Sequence, residues 1–136
     1  MYNKQGGAKM IIEIDVESEV PIYTQLVKQI KRGVMLGKLK PGDNLPSVRR
    51  LAGDIGINLH TVNKAYKTLV SEGVVEQMKK GYAVASVTPP KISSEHLIEM
   101  KNQIEELLID ASIFEIDIEK IMMEKREELK GEKHHD

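Results

Sequence analysis

Three residues, Gly56-Ile57-Asn58, separate two stretches whose apolar residues recur at helical spacing, and this short joint constrains the fold more than any other feature of the chain. Glycine accepts the left-handed conformation that ends a helix, and an asparagine side chain accepts a backbone N–H at the start of the next. Before the joint, Ser47 is placed to cap a short helix whose buried face is Val48, Leu51, Ala52 and Ile55. After it, a helix from about Leu59 to Glu72 turns Val62, Ala65, Tyr66 and Leu69 inward and His60, Asn63, Lys64, Lys67 and Ser71 outward, and Gly73 ends it. Two further runs, Val74–Met78 and Tyr82–Val87, read as strands, with Lys79, Lys80 and Gly81 at the tip of their hairpin.

The flanking segments complete the reading. Met10–Ile14 alternates weakly and is expected to form a short strand. Pro21 suits a first helical position, and Ile22, Leu26, Ile30 and Val34 share one face of a helix that contains Gly33 and stops at Gly37. Lys40-Pro41-Gly42-Asp43 is a turn. Thr88-Pro89-Pro90 breaks the chain. From Ser93 the pattern is helical again, with one stripe of Leu97, Met100, Ile104, Leu107 or Leu108, and Ala111, and another of Phe114, Ile118, Ile121 or Met122, and Leu129. The joint between these stripes lies between Asp110 and Asp117, where Ser112 with Glu115 or Asp117 alone can cap the second helix.

The expected fold is mainly α with a small β-hairpin: a winged helix-turn-helix followed by a short two-helix dimerisation segment. Its expected divisions are a disordered tail at 1–9, a DNA-binding domain at 10–87, a linker at 88–92, the helical segment at 93–130 and a frayed tail at 131–136.

Charge agrees with that division. Residues 21–91 carry 12 Lys and Arg against 4 Asp and Glu, whereas residues 92–136 carry 6 against 13. A basic block beside an acidic one suggests that one part meets a polyanion and the other does not. The absence of cysteine excludes disulfide scaffolds, thiolate zinc sites and cysteine nucleophiles, and fits a cytoplasmic location. No apolar run reaches the length of a membrane helix, and residues 1–9 lack the apolar core of a secretory signal.

The major groove of DNA is about 12 Å wide and admits one helix, which needs an apolar back and a polar front. Residues 59–72 supply both, and the first turn, nearest to base edges, carries His60, Thr61, Asn63 and Lys64. Arg49 projects from the preceding helix opposite its buried face, Lys67 continues the outer face, and Lys79, Lys80 and Gly81 form a basic tip suited to phosphate. Ser47 and Asn58 sit at helix starts, Asn58 as a cap or as a cap with a backbone contact. Tyr66 is assigned to the core, and Tyr82 is left open.

The stretch from Pro21 to Val87 resembles the GntR family of bacterial regulators. LKPGDNLPSVRRLA is similar to the family's approach to the first helix of the motif, and INLHTVNKAYKTLVSEGVV to its recognition helix and exit. PIY near the start, the N-x-x-T-V-x-K-A-Y run and a short helical tail look most like the YtrA-type subfamily. The resemblance implies a homodimer that binds an inverted-repeat operator and represses a neighbouring operon, often one for a transporter. It also implies that Arg49 contacts DNA. Arg50 stands where relatives commonly carry Glu, so the capping box from Ser47 is expected to be lost; Arg50 is open between phosphate contact and solvent exposure. Leu59 stands where many relatives carry a polar or basic residue or proline, and the Lys79-Lys80-Gly81-Tyr82 tip is one residue shorter than the family's Gly-x-Gly tip.

Other function classes fit less well. An enzyme would need a nucleophile, a triad, a phosphate loop or paired carboxylates on a fixed element, and none stands out. Recognition of single-stranded RNA favours aromatic platforms, whereas the chain has four Tyr, one Phe and no Trp. The alternative is a winged-helix protein-interaction module, which would place an apolar patch where His60, Lys64 and Lys67 stand. The partners expected are double-stranded DNA and a second copy, through Leu97, Met100, Ile104, Leu107, Leu108, Ile118, Ile121 and Met122. No cofactor or metal is expected; His134, His135 and Asp136 lie in the frayed tail. A small-molecule effector is left unnamed, because two helices per subunit rarely enclose a ligand-sized pocket.

Overall fold

Leu26, Val27 and Ile30 fall on one face of α1 (Ile22–Met35), and their burial fixes how that helix seats. The computed structural model describes residues 12–134. Four further helices and one hairpin follow among the described residues: α2 (Val48–Ile55), α3 (Leu59–Glu72), β1 (Val75–Met78), β2 (Gly81–Val84), α4 (Ser94–Phe114) and α5 (Ile118–His134). The chain divides into two compact units between Ser93 and Ser94.

In the first unit, α1, α2 and α3 and the hairpin close over one core. Leu26, Ile30, Leu51, Val62, Tyr66, Leu69 and Val84 are its most deeply buried large side chains. Each apolar one contributes about 1.5–3 kcal/mol relative to exposure. Tyr66 needs a partner for its hydroxyl there, and donates to the Pro46 carbonyl at 2.7 Å. Its ring meets the Tyr82 ring edge-on at 5.0 Å, which places Tyr82 in the core as well.

The two strands pair antiparallel with Val75 opposite Val84 and Met78 opposite Gly81. Gly81 is thus the first residue of β2 rather than part of the loop, and its φ of 95° suits glycine. The strands are also shorter than expected. Val74 is taken by the end of α3, its N–H donating to the Leu69 carbonyl at 3.0 Å. Beyond Ala85, the Glu76 carboxylate accepts from both the N–H and the hydroxyl of Ser86, replacing the ladder. A third segment joins the sheet. After the Lys40–Asp43 turn, Leu45 N–H donates to the Tyr82 carbonyl at 2.9 Å, and Val84 N–H donates to the Asp43 carbonyl at 2.8 Å.

Two local expectations at the chain start are corrected. Pro21 is the N-cap of α1, one residue before its first turn. The strand expected at Met10–Ile14 does not form in its described part, Ile12–Ile14, because among the described residues no strand lies beside it. Two glutamines one helical turn apart on α1 occupy that edge instead. Gln25 Oε1 accepts from Asp15 N–H, and its amide donates to the Asp15 and Val20 carbonyls. Gln29 makes the same reciprocal pair with the backbone of Glu13. Met10, Ile11 and the tail expected at 1–9 lie outside the described residues.

The residues expected as a linker, 88–92, lead to a close approach within the first unit. Gly73 has a φ of 97°, and a Cβ built on it would lie 2.3 Å from the Lys91 carbonyl oxygen. Ser93 N–H donates to the Glu72 carbonyl at 3.4 Å.

The second unit is a helix pair. Glu115, at a φ of 51°, turns the chain after α4, and Ile116 N–H closes onto the Ala111 carbonyl at 2.9 Å. Asp117 caps α5 by accepting from Lys120 N–H at 3.1 Å, while Ser112 lies inside α4. The helix runs on to His134, where fraying was expected from residue 131; Glu127 and Lys130 pair along its last turns. His135 and Asp136 lie outside the described residues. Within this unit only Ala111 is buried among the described residues.

Candidate nucleic-acid interface

The joint between α2 and α3 is built from backbone chemistry. Gly56 takes φ 68° and ψ 38°, and Ile57 N–H reaches back to the Ala52 carbonyl at 3.1 Å. Asn58 is extended, and its Oδ1 accepts from His60 N–H at 2.7 Å. Ser47 caps α2 in the same way, its Oγ accepting from Arg50 N–H at 3.1 Å. The expected loss of the capping box at Ser47 is therefore only half a loss. The serine's own bond survives, because it uses the backbone of residue 50; only the reciprocal bond that a glutamate would return is missing. Arg50 instead faces Asp54 one turn on, at 3.8 Å, with both side chains about half exposed.

These caps aim the first turns of α2 and α3 toward the hairpin. Ser47, Val48 and Arg49 from α2 and its cap, Leu59, His60 and Asn63 from α3, and Gly81 and Tyr82 from β2 line one open concavity of about 470 Å³. Of the twelve residues expected to meet DNA, five are brought together there: Ser47, Arg49, His60, Asn63 and Gly81. Arg49 and His60 are exposed, and Asn63 is half-buried. The concavity's apolar lining of Val48, Leu59 and Tyr82 is not evident from the sequence pattern, which shows Leu59 only as a departure from the family.

The remaining seven lie around this concavity or apart from it. Lys79 and Lys80 are exposed at the hairpin tip, and Lys67 is exposed further along α3. Thr61 is half-buried in the first turn of α3, with its N–H on the Asn58 carbonyl. Asn58 and Arg50 are engaged as described. Lys64 leaves the His60–Asn63 edge and turns to α1, where its Nζ sits 3.9 Å from the centroid of the Tyr23 ring. Sequence spacing could not have placed that contact, because it joins residues 41 apart on different helices.

Chemically, the face offers exposed cations and amide and hydroxyl groups along one convex helix, with a basic hairpin beside it. An α-helix with its side chains is about 10–12 Å across, the width of the major groove. Among the described residues there is no cluster of three or more His, Asp or Glu side chains able to hold a metal, and no helix is long and apolar enough to cross a membrane.

Similarity to known proteins follows the same segments. The model for bacterial regulatory proteins of the gntR family matches residues 22–83. The HTH-type transcriptional repressor YtrA of Bacillus subtilis strain 168 is 37% identical over 130 residues, spanning 93% of this chain and 100% of that protein. Among solved structures, a transcriptional antiterminator from Listeria monocytogenes EGD-e superposes with a TM-score of 0.74 at 34% identity, covering 86% of this chain and 88% of its own. YtrA from Sulfolobus acidocaldarius, a GntR-family transcription factor, does so with a TM-score of 0.57 at 43% identity, covering 71% and 98%.

Proposed function

Given that this chain belongs to the GntR family, in its YtrA-type branch, and is a DNA-binding transcriptional regulator rather than an enzyme, we propose that it acts as a homodimeric repressor on an inverted-repeat operator. The observation that carries the reading is the convergence of Ser47, Arg49, His60, Asn63 and Gly81 on one open face between α2, α3 and the hairpin.

In this reading α3 lies in the major groove. His60 and Asn63 face base edges, and Arg49 reaches the same groove from α2. Lys67, Lys79 and Lys80 meet phosphates, joined by Ser47, Thr61 and Asn58 at helix starts, where free N–H groups favour anions. Phosphate contacts supply most of the affinity and little of the sequence information. Arg50 contributes less than its charge suggests, since Asp54 stands beside it.

Dimerisation falls to the second unit. Leu97, Met100, Ile104, Leu107, Leu108, Ile121 and Met122 are 39–54% exposed, and Ile118 is half-buried. An apolar stripe of this length is costly to leave in water. Ile98, Ile109 and Ile113 put a second apolar strip on the opposite side of α4. A helix apolar on two sides is one that lies inside a bundle, and two copies of the pair supply four helices. Repression then follows from occupying a promoter, with a neighbouring transporter operon as the candidate target and the cytoplasm as the site of action.

Selection of duplexes from a random library, followed by hydroxyl-radical footprinting, tests this reading. The expected outcome is an inverted repeat whose two half-sites lie on one face of the DNA, about one helical turn apart or a multiple of it. A single unrepeated site would overturn the dimeric arrangement.

A further inference from the structure

The charged end of Lys64, on the expected recognition surface, is held by a side chain from another element. Its ammonium lies over the ring of Tyr23 at 3.9 Å from the centroid, within the range of a cation–π attraction. Tyr23 is half-buried and packs against the core cluster, so its ring is a fixed platform. Lys64 itself is exposed and makes no ion pair among the described residues. The contrast with nearby cations is physical. Lys31 pairs with Glu72, and Arg50 faces Asp54, so those charges are partly compensated. An aromatic ring attracts an ammonium without neutralising it. The ring therefore restricts a side chain with four rotatable bonds while leaving its charge available to a second partner.

The direction of that restriction matters. Lys64 does not line the concavity that His60 and Asn63 share; it is drawn toward α1, on the flank of α3. We propose that Tyr23 is a positioning residue for DNA, its ring holding the Lys64 ammonium at the flank of the recognition helix, where it meets a backbone phosphate and not a base edge. The inference rests on α3 entering the major groove. It reassigns Lys64 from reading sequence to fixing register, and gives α1 a part in DNA binding through its first turn.

The test is fluorescence anisotropy on a duplex selected by the wild-type chain and on its scrambled counterpart, over a KCl series. The proteins are wild type, Tyr23→Phe, Tyr23→Leu, Lys64→Gln and the Tyr23→Leu/Lys64→Gln double variant, each checked by thermal melting. Tyr23→Phe keeps the ring and should bind as wild type does. Tyr23→Leu should weaken both duplexes by about two- to fivefold with the salt slope retained, because the charge is still present. Lys64→Gln should weaken both duplexes alike and lower the salt slope by about 0.9. In the Lys64→Gln background, Tyr23→Leu should have no further effect. An equal Tyr23→Leu loss in that background, a loss shared by Tyr23→Phe, or no loss at all would overturn the proposal. Should Tyr23→Leu melt early, Lys64→Gln still decides: a loss confined to the selected duplex assigns Lys64 to a base edge and overturns it. A wild-type chain that bound neither duplex would overturn the DNA-docking geometry beneath the proposal, a different failure from any of these.

Discussion

The hydroxyl of Tyr66 donates to the backbone carbonyl of Pro46 at 2.7 Å, joining the middle of α3 to the residue just before the cap of α2. This bond is buried, and it spans 20 residues of chain. It ties the approach to Ser47 and Arg49 to α3, so one side chain links the core to the concavity that those residues line. Tyr66→Phe keeps the ring and its edge-on packing with Tyr82 but leaves the Pro46 carbonyl unpaired. The expected loss of stability is about 1–2 kcal/mol. Urea unfolding measures it as a lower midpoint with an unchanged slope; an unchanged midpoint would show that the bond is replaceable.

Gly73 and Gly37 test the cost of backbone geometry against that of space. Both have positive φ, at 97° and 79°. A Cβ at Gly37 meets nothing within 4 Å, whereas one at Gly73 would lie 2.3 Å from the Lys91 carbonyl oxygen. Gly37→Ala should therefore cost only the left-handed penalty of about 1–2 kcal/mol. Gly73→Ala must in addition push residues 91–93 off the end of α3, and should cost clearly more. Equal thermal shifts in the two variants would mean that the close approach has no energetic weight.

Much of this arrangement was legible in the sequence, and the division between what was and what was not has a physical cause. The caps at Ser47, Gly56, Asn58 and Gly73 are local chemistry, readable from residues within one turn. The inward face of α3 follows from helical periodicity alone. What escaped depends on partners distant in the chain. Residues 43–45 join the sheet only because Tyr82 and Val84 offer them a free edge some forty residues later. The N-terminal arm looked like a strand because its residues alternate, yet its partners are the side-chain amides of Gln25 and Gln29, which no alternation rule anticipates. The place of Tyr82 in the core depends on its contact with Tyr66, which lies on another element. Of the expected DNA-facing residues, periodicity found the face but not the detour of Lys64 to Tyr23.

Glu115 offers a stabilising change. It is the one non-glycine residue with positive φ among the described residues, at 51°, and it occupies the position after α4 where glycine is favoured. Glu115→Gly should raise the stability of the helical pair by about 1 kcal/mol through relief of that conformation. Thermal unfolding by circular dichroism would register it; a lower melting point would mean that the Glu115 side chain makes a compensating contact.

Substitutions at Arg49 and Lys80 test the proposed division between base reading and phosphate contact. Arg49 lines the concavity with His60 and Asn63, while Lys80 stands in solvent at the hairpin tip. Arg49→Ala should cost about 1–3 kcal/mol on the selected duplex and much less on scrambled DNA. Lys80→Ala should weaken both alike and lower the salt slope by about 1. Exchange of these two signatures would place the wing in a groove and Arg49 on the backbone.

The central claim is sequence-specific DNA binding through the α3 face, and the direct measurement is the affinity of the full chain for its selected duplex against scrambled DNA as KCl is raised. A preference of about a thousandfold or more is expected, with affinity falling steeply and linearly in log salt. Equal affinity for both duplexes, or binding indifferent to salt, would contradict it.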